Sequence, residues 1–188
     1  NKDEYQSLPV HNYQLGSDPR AGNITGKFYA EHLFEHRGMD GCFPGCNLRC
    51  TKGGWVTLRF GEHKGRSVWV DGPEYETTMA FGPLCMNYDL DVILRVNDLC
   101  NTHGIDTIAA GVAVAYAMYL YEQGAITKDM AGFEIRWGDG DVIVRLVQMI
   151  INNEGIGALL ARGTLAMARE LGRDEGEAAQ VKGMEFPM

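Results

Sequence analysis

The spacing of apolar side chains predicts helices along most of this chain, broken once by a stretch that alternates with the period of a strand. Phe28, Tyr29, Leu33 and Phe34 share one face of a helix that Thr25 can cap and Gly38 can end. Between Gly53 and Val70 the period falls to two. There Trp55-Val56-Thr57-Leu58-Arg59-Phe60 and Ser67-Val68-Trp69-Val70 flank Gly61 to Gly65, which predicts a short β-hairpin. From Pro73 the helical period returns, with Pro73 at a first helical position and Glu74 and Glu76 in the first turn, where carboxylates favour the dipole. A helix is expected from Asp89 to His103, closed by Gly104, and another from an Asp106 cap through Tyr121; they meet at the hinge His103-Gly104-Ile105. Asp139 or Asp141 then caps a helix whose Val142, Ile143, Leu146, Val147, Ile150 and Ile151 line one face, ended by Gly155. A last helix is expected from Gly157 to Leu171, with Gly163 admitting a neighbouring backbone and Gly172 as its C-cap. Residues 1–24, polar and punctuated by Pro9, Gly16, Pro19 and Gly22, read as an extended arm or a set of turns. Residues 25–188 read as a mainly α, multi-helical domain with one short β-hairpin, expected to continue past Met188 as part of a larger multidomain protein.

Composition narrows the function classes. With 17 basic and 25 acidic residues the formal charge is −8, which argues against a nucleic-acid partner. The most apolar stretch, Ile108 to Tyr121, falls short of the roughly 20 residues that cross a bilayer, so no membrane partner is expected and the stretch reads as core packing. No secretory pattern is read at the start, and a cytoplasmic location is expected. Five cysteines, three of them crowded together, suit ligands better than a disulfide framework.

Those three stand in Cys42-Phe43-Pro44-Gly45-Cys46-Asn47-Leu48-Arg49-Cys50, on a Pro/Gly-bent segment that can aim all of them at one centre. A cubane iron–sulfur cluster takes four thiolates, commonly three from a tight run and one from a distant position. A zinc site completed by His63 is a second reading of the same spacing, and would make the chain a non-catalytic helical interaction module; unliganded thiols are a third.

Several segments together resemble the aldehyde ferredoxin oxidoreductase family. They are the cysteine loop, Asp71-Gly72-Pro73-Glu74-Tyr75-Glu76-Thr77, and Leu99-Cys100-Asn101-Thr102-His103-Gly104-Ile105-Asp106-Thr107-Ile108; Leu8 to Tyr13 and Gly155 to Ala161 also resemble family segments. The resemblance implies an enzyme about three times this long, comprising an N-terminal β-rich domain and two helical domains, of which this chain matches the first helical domain and part of the second. It implies a tungsten or molybdenum atom held by two pterins, and a [4Fe-4S] cluster that passes electrons to ferredoxin. By resemblance Cys42, Cys46 and Cys50 bind the cluster, while the fourth cysteine lies beyond Met188; Cys85 and Cys100 do not fit that role. Three residues separate Cys42 from Cys46 where the family has two, and the Pro44-Gly45 turn can absorb the extra one. Asn101 to Asp106 matches the family's pterin-holding motif, with Asp106 keeping the carboxylate and Asn101 standing where the family has aspartate. A carboxylate there can accept two parallel N–H bonds from a pterin edge; Asp106 also reads as an ordinary N-cap. Glu76 aligns with the glutamate beside the metal and is the expected catalytic residue, moving a proton or orienting water; Glu74 is its nearest rival, and none of the five histidines inherits the family's catalytic histidine. The implied activity is oxidation of an aldehyde to a carboxylic acid, or in another branch reduction of an aromatic acyl-CoA thioester. The remaining domains of the parent chain would be partners, a homo-oligomer is compatible with this reading, and the piece alone is expected to be inactive.

Overall fold

The computed structural model describes residues 9–32, 36–37, 52–59 and 64–187. The cysteine loop and the expected contacts of Leu33, Phe34, Phe60 and His63 lie outside them. The architecture is mainly helical, with eight α-helices and two small antiparallel sheets among the described residues. The helices are α1 (Gly26–His32), α2 (Tyr75–Phe81), α3 (Leu90–His103), α4 (Thr107–Glu122), α5 (Lys128–Ala131), α6 (Gly140–Asn152), α7 (Gly157–Leu160) and α8 (Thr164–Glu170). The strands are β1 (His36–Arg37), β2 (Lys52–Thr57), β3 (Ser67–Asp71), β4 (Gln180–Val181) and β5 (Met184–Glu185).

Helix α4 is the axis of the fold. Its sequence is apolar on every side, so it cannot sit at a surface, and residues 110–118 are all buried. α2, α3, α6, α7, α8 and β5 pack around it. α6 is amphipathic instead, presenting Val142, Ile143, Leu146, Val147 and Ile150 to the core, and it lies between α3 and α7. Its approach to α7 requires glycine, because a Cβ on Gly157 would fall 2.2 Å from the Met149 carbonyl carbon.

Several caps read from sequence are present. Thr25 Oγ1 accepts from Phe28 N at 3.2 Å; Asp106 and Asp139 cap α4 and α6; and Gly104 closes α3 at φ 67°. Asp89, expected as the first residue of α3, is its N-cap. Other boundaries differ from expectation. Pro73 lies two residues ahead of α2, whose N-cap is Glu74 in an extended conformation. α6 ends at Asn153, which takes the left-handed conformation at φ 53° before Gly155 is reached; asparagine tolerates that region. The single helix expected from Gly157 to Leu171 is two short ones, because Gly163 adopts φ 83° and ψ 167°. Glycine has no side chain with which to cap α8. The carboxylate of Glu185 does so from β5, accepting from Thr164 N at 2.8 Å and from Thr164 Oγ1 at 3.2 Å. The neighbour close to Gly163 is thus a carboxylate and not a backbone segment.

The three-stranded sheet runs β1-β2-β3, with Trp55 opposite Trp69 and Val56 opposite Val68. Val56, Leu58 and Val70 face the core, while Trp55 and Trp69 meet edge to face at 6.0 Å on the open side. The sheet is tied to α3 by Arg59, which pairs with Asp89 and Asp91, and by Asn97 Nδ2 donating to Asp71 O at 2.7 Å. No helix among the described residues is long and apolar enough to cross a membrane.

Candidate functional site

Two of the residues singled out by sequence stand at neighbouring helix starts. Thr77 in α2 and Thr107 in α4 share a hydroxyl hydrogen bond of 2.7 Å. One turn further on, Ala80 lies against Gly111 so closely that a Cβ on Gly111 would sit 2.5 Å from the Ala80 Cβ. Because these contacts advance together along both helices, α2 and α4 run the same way with their first turns side by side. Glu76 and Asp106 each directly precede one of the joined threonines. The positive ends of both helix dipoles therefore lie close to these two carboxylates.

Asp106 performs the capping role in full, its Oδ1 accepting from Ile108 N at 2.7 Å and from Ala109 N at 3.2 Å. Both bonds fall on one oxygen, so Oδ2 remains available at an exposed position. Asn101 is exposed on the last turn of α3. The chain turns back between them through Gly104, with Ile105 N donating to Cys100 O at 2.9 Å. An exposed amide and an exposed carboxylate oxygen on either side of this reversal suit the N–H edge of a pterin ring, so the residues present fit that group. Glu76 is half-buried in the first turn of α2.

Cys42, Cys46 and Cys50 lie outside the described residues. The strands that flank this segment, β1 and β2, pair antiparallel, with Arg37 opposite Lys52. Among the described residues no three histidine, cysteine or acidic side chains converge as metal ligands. Cys85 and Cys100 are buried free thiols. Cys85 Sγ donates to Ala80 O at 3.3 Å, and burial pushes its thiol well above the usual range. Burial, and secondarily the Asp106 carboxylate, pushes Cys100 up to about 12.

Beside the hinge a groove of about 980 Å³ opens between α3, α6 and the β2–β3 hairpin, lined in part by Arg66, Trp69, Thr102, His103 and Arg145. Glu76, Asn101 and Asp106 do not line it. Buried Arg95 also reaches it, pairing with Asp98 at 2.8 Å while its Nε has no hydrogen-bond partner among the described residues.

Sequence reasoning missed three parts of this region: the Thr77–Thr107 clasp, the Ala80–Gly111 contact and Tyr13. Tyr13 Oη donates to Phe186 O at 3.1 Å. Burial, then the carboxylates of Glu76 and Glu185, push its phenol up to about 12. The periodicity of α2 and α4 marks their buried faces, but no local signal says which of those faces meet.

Known proteins resemble the chain over nearly its whole length. The family described as "Aldehyde ferredoxin oxidoreductase, domains 2 & 3" matches residues 2–188. A tungsten-containing aldehyde ferredoxin oxidoreductase of Pyrococcus furiosus is 34% identical over 182 residues, covering 95% of this chain and 28% of that protein. The protein of the same description from Thermococcus kodakarensis is 32% identical over 182 residues, again covering 95% and 28%. An aliphatic sulfonate oxidoreductase, WOR-like subunit, of Pyrococcus furiosus is 33% identical over 145 residues, covering 74% of this chain and 23% of that protein. The solved active-site complex BamBC of benzoyl coenzyme A reductase, with 1,5-dienoyl-CoA, shares the fold at a TM-score of 0.70 and 19% identity, covering 98% of this chain and 27% of that one. The chain thus spans less than a third of the length of the relatives it matches.

Proposed function

The chain belongs to the aldehyde ferredoxin oxidoreductase family, and on that premise we propose that it is the part of an oxidoreductase that oxidises an aldehyde to a carboxylic acid at a tungsten or molybdenum bis-pterin centre, passing electrons through a [4Fe-4S] cluster to ferredoxin. The observation that carries this reading is the clasp between Thr77 and Thr107, which sets Glu76 beside the start of the helix that Asp106 caps. The bis-pterin metal supplies a two-electron centre when bound. Asp106, through Oδ2, and Asn101, through its amide, would hold a pterin edge. Cys42, Cys46 and Cys50 would hold three corners of the cluster. The remaining domains of the parent chain would supply the fourth thiolate and the rest of the pterin site.

Oxidation of an aldehyde with one water yields the acid, two electrons and two protons. Glu76 is the residue of this chain assigned to take up one of those protons, or to orient the water that is deprotonated. Half-buried in the first turn of α2, it is shielded from bulk solvent without being sealed from it.

The test is aldehyde-dependent reduction of ferredoxin or a viologen dye by the full-length protein carrying this chain, beside its Glu76→Gln variant. Reduction by the parent, falling at least a hundredfold in the variant while metal content is retained, supports the reading. Equal rates for the two, or no oxidation of any aldehyde by a fully metallated protein, overturns it.

A further inference from the structure

Arg95 is an arginine turned inward from α3, its side chain only 4% exposed. A guanidinium keeps its charge in a protein and carries N–H donors on every nitrogen. Burying such a group favours a fold only where those donors meet acceptors. Among the described residues one contact does so, Nη1 donating to Asp98 Oδ2 at 2.8 Å, while the buried Nε meets no acceptor. Arg95 borders the groove between α3, α6 and the β2–β3 hairpin, so the missing acceptors have room to arrive from there.

The walls of this groove have the character of a protein contact. Arg66 and Arg145 line it, both exposed and neither in an ion pair among the described residues. The acidic residues Asp141 and Glu154 also line it, but at opposite ends of α6. Trp69, 47% exposed, borders the groove, and Trp55, 60% exposed, meets it edge to face. Tryptophan and arginine are the residues that interfaces between proteins favour. A small anion lodged beside Arg95 would leave the Trp55 ring uncovered. The chain spans less than a third of the length of the relatives it matches, so most of a parent of that size lies outside residues 1–188.

We propose that this groove is the docking surface for a segment of the parent chain outside residues 1–188, one that sets a carboxylate on Arg95 and covers the Trp55–Trp69 pair. A carboxylate entering from the groove gives the guanidinium acceptors on the side that Asp98 leaves unbonded. Arg66 and Arg145 offset the negative charge it brings. The contact is independent of which reaction the parent catalyses, and none of Glu76, Asn101 and Asp106 takes part in it.

Two measurements on the full-length protein test this. In the first, the photoreactive p-benzoylphenylalanine replaces Asn152, which is exposed and lines the groove, and the crosslinked peptides are identified by mass spectrometry. A crosslink within one polypeptide to an Asp- or Glu-containing segment outside residues 1–188 is expected. Crosslinks confined to residues 1–188 overturn the proposal, as do crosslinks between copies in a mixture of isotopically light and heavy protein. In the second, maleimide labelling of Asn152→Cys should be at least about a hundredfold slower in the native protein than in urea, at every protein concentration and without added ligand. Equal labelling rates refute the docking. Protection that needs high protein concentration would assign the groove to a second copy, and protection that needs added inorganic phosphate to a small anion; either result also refutes it. Arg95→Met should speed native labelling of Asn152→Cys at least about tenfold, since it removes one partner of a buried charge pair; an unchanged rate shows that Arg95 anchors nothing. If Arg95→Met does not fold, the crosslink decides.

Discussion

Replacing Gly111 with alanine would test the packing that sets Glu76 beside the start of α4. The added Cβ would sit 2.5 Å from the Ala80 Cβ and 3.0 Å from the Ala80 carbonyl carbon. Non-bonded carbons rest at about 3.5–4.0 Å, so α2 must move away from α4 by roughly 1 Å. Overpacking of this kind costs about 1–3 kcal/mol. Alanine returns about 1 kcal/mol of helix propensity over glycine. A net destabilisation of about 1 kcal/mol is expected, read as a lower urea midpoint at unchanged m-value. The shift also stretches the 2.7 Å Thr77–Thr107 bond, whose Thr77 side is buried. Ala80→Gly removes the obstructing methyl, so the double variant Gly111→Ala/Ala80→Gly should be more stable than the sum of the two single effects, by about 1 kcal/mol or more. A Gly111→Ala variant more stable than the parent by its full propensity gain, or strict additivity in the double variant, would refute this account of the α2–α4 contact.

Three further outcomes are expected on the same physical grounds. Asp106→Ala should cost about 1 kcal/mol of stability through loss of the α4 cap, whereas Asp106→Asn should keep the cap and the melting temperature but weaken pterin retention in the full-length protein; equal retention would assign Asp106 to capping alone. Hydrogen bonding to Arg20 holds the Asp18 carboxyl down to about 2, below its ordinary value of 3.8. In that window the unfolded chain binds more protons than the folded one, so the stabilisation is present above about pH 4 and lost as pH falls towards 2. Asp18→Asn should flatten this part of an acid-denaturation curve. Cys85 and Cys100, buried and with thiols pushed up, should resist iodoacetamide in the folded protein and react once it is unfolded in urea; mass-spectrometric detection of rapid native labelling at Cys85 would contradict its burial.

Features fixed by neighbours a few residues away were legible in the sequence. Asp106 and Asp139 cap their helices because each carboxylate reaches the N–H groups two and three positions on, a contact that needs no other part of the fold. The apolar run of α4 marked it as interior for the same local reason. Features fixed by partners far along the chain escaped. The break at Gly163 depends on a carboxylate 21 residues beyond Thr164, and the Thr77–Thr107 clasp joins residues 30 apart. The left-handed turn at His11 to Tyr13 carries no glycine to announce it and is imposed by carbonyls of Pro83 and Leu84. Glu76, Asn101 and Asp106 were named through family resemblance, since helix spacing alone would have left Asp106 a cap and Glu76 a first-turn carboxylate. The placement of Glu76 and Asp106 at two joined helix starts is a property of packing that no single segment contains.

The most direct test of the redox account is iron, acid-labile sulfide, zinc and tungsten analysis of the anaerobically purified full-length protein, beside its Cys46→Ser variant. The account predicts about four irons and four sulfides per polypeptide in addition to tungsten or molybdenum, with the iron and sulfide lost in the variant. One zinc per polypeptide, without labile sulfide and lost in the same variant, would contradict it.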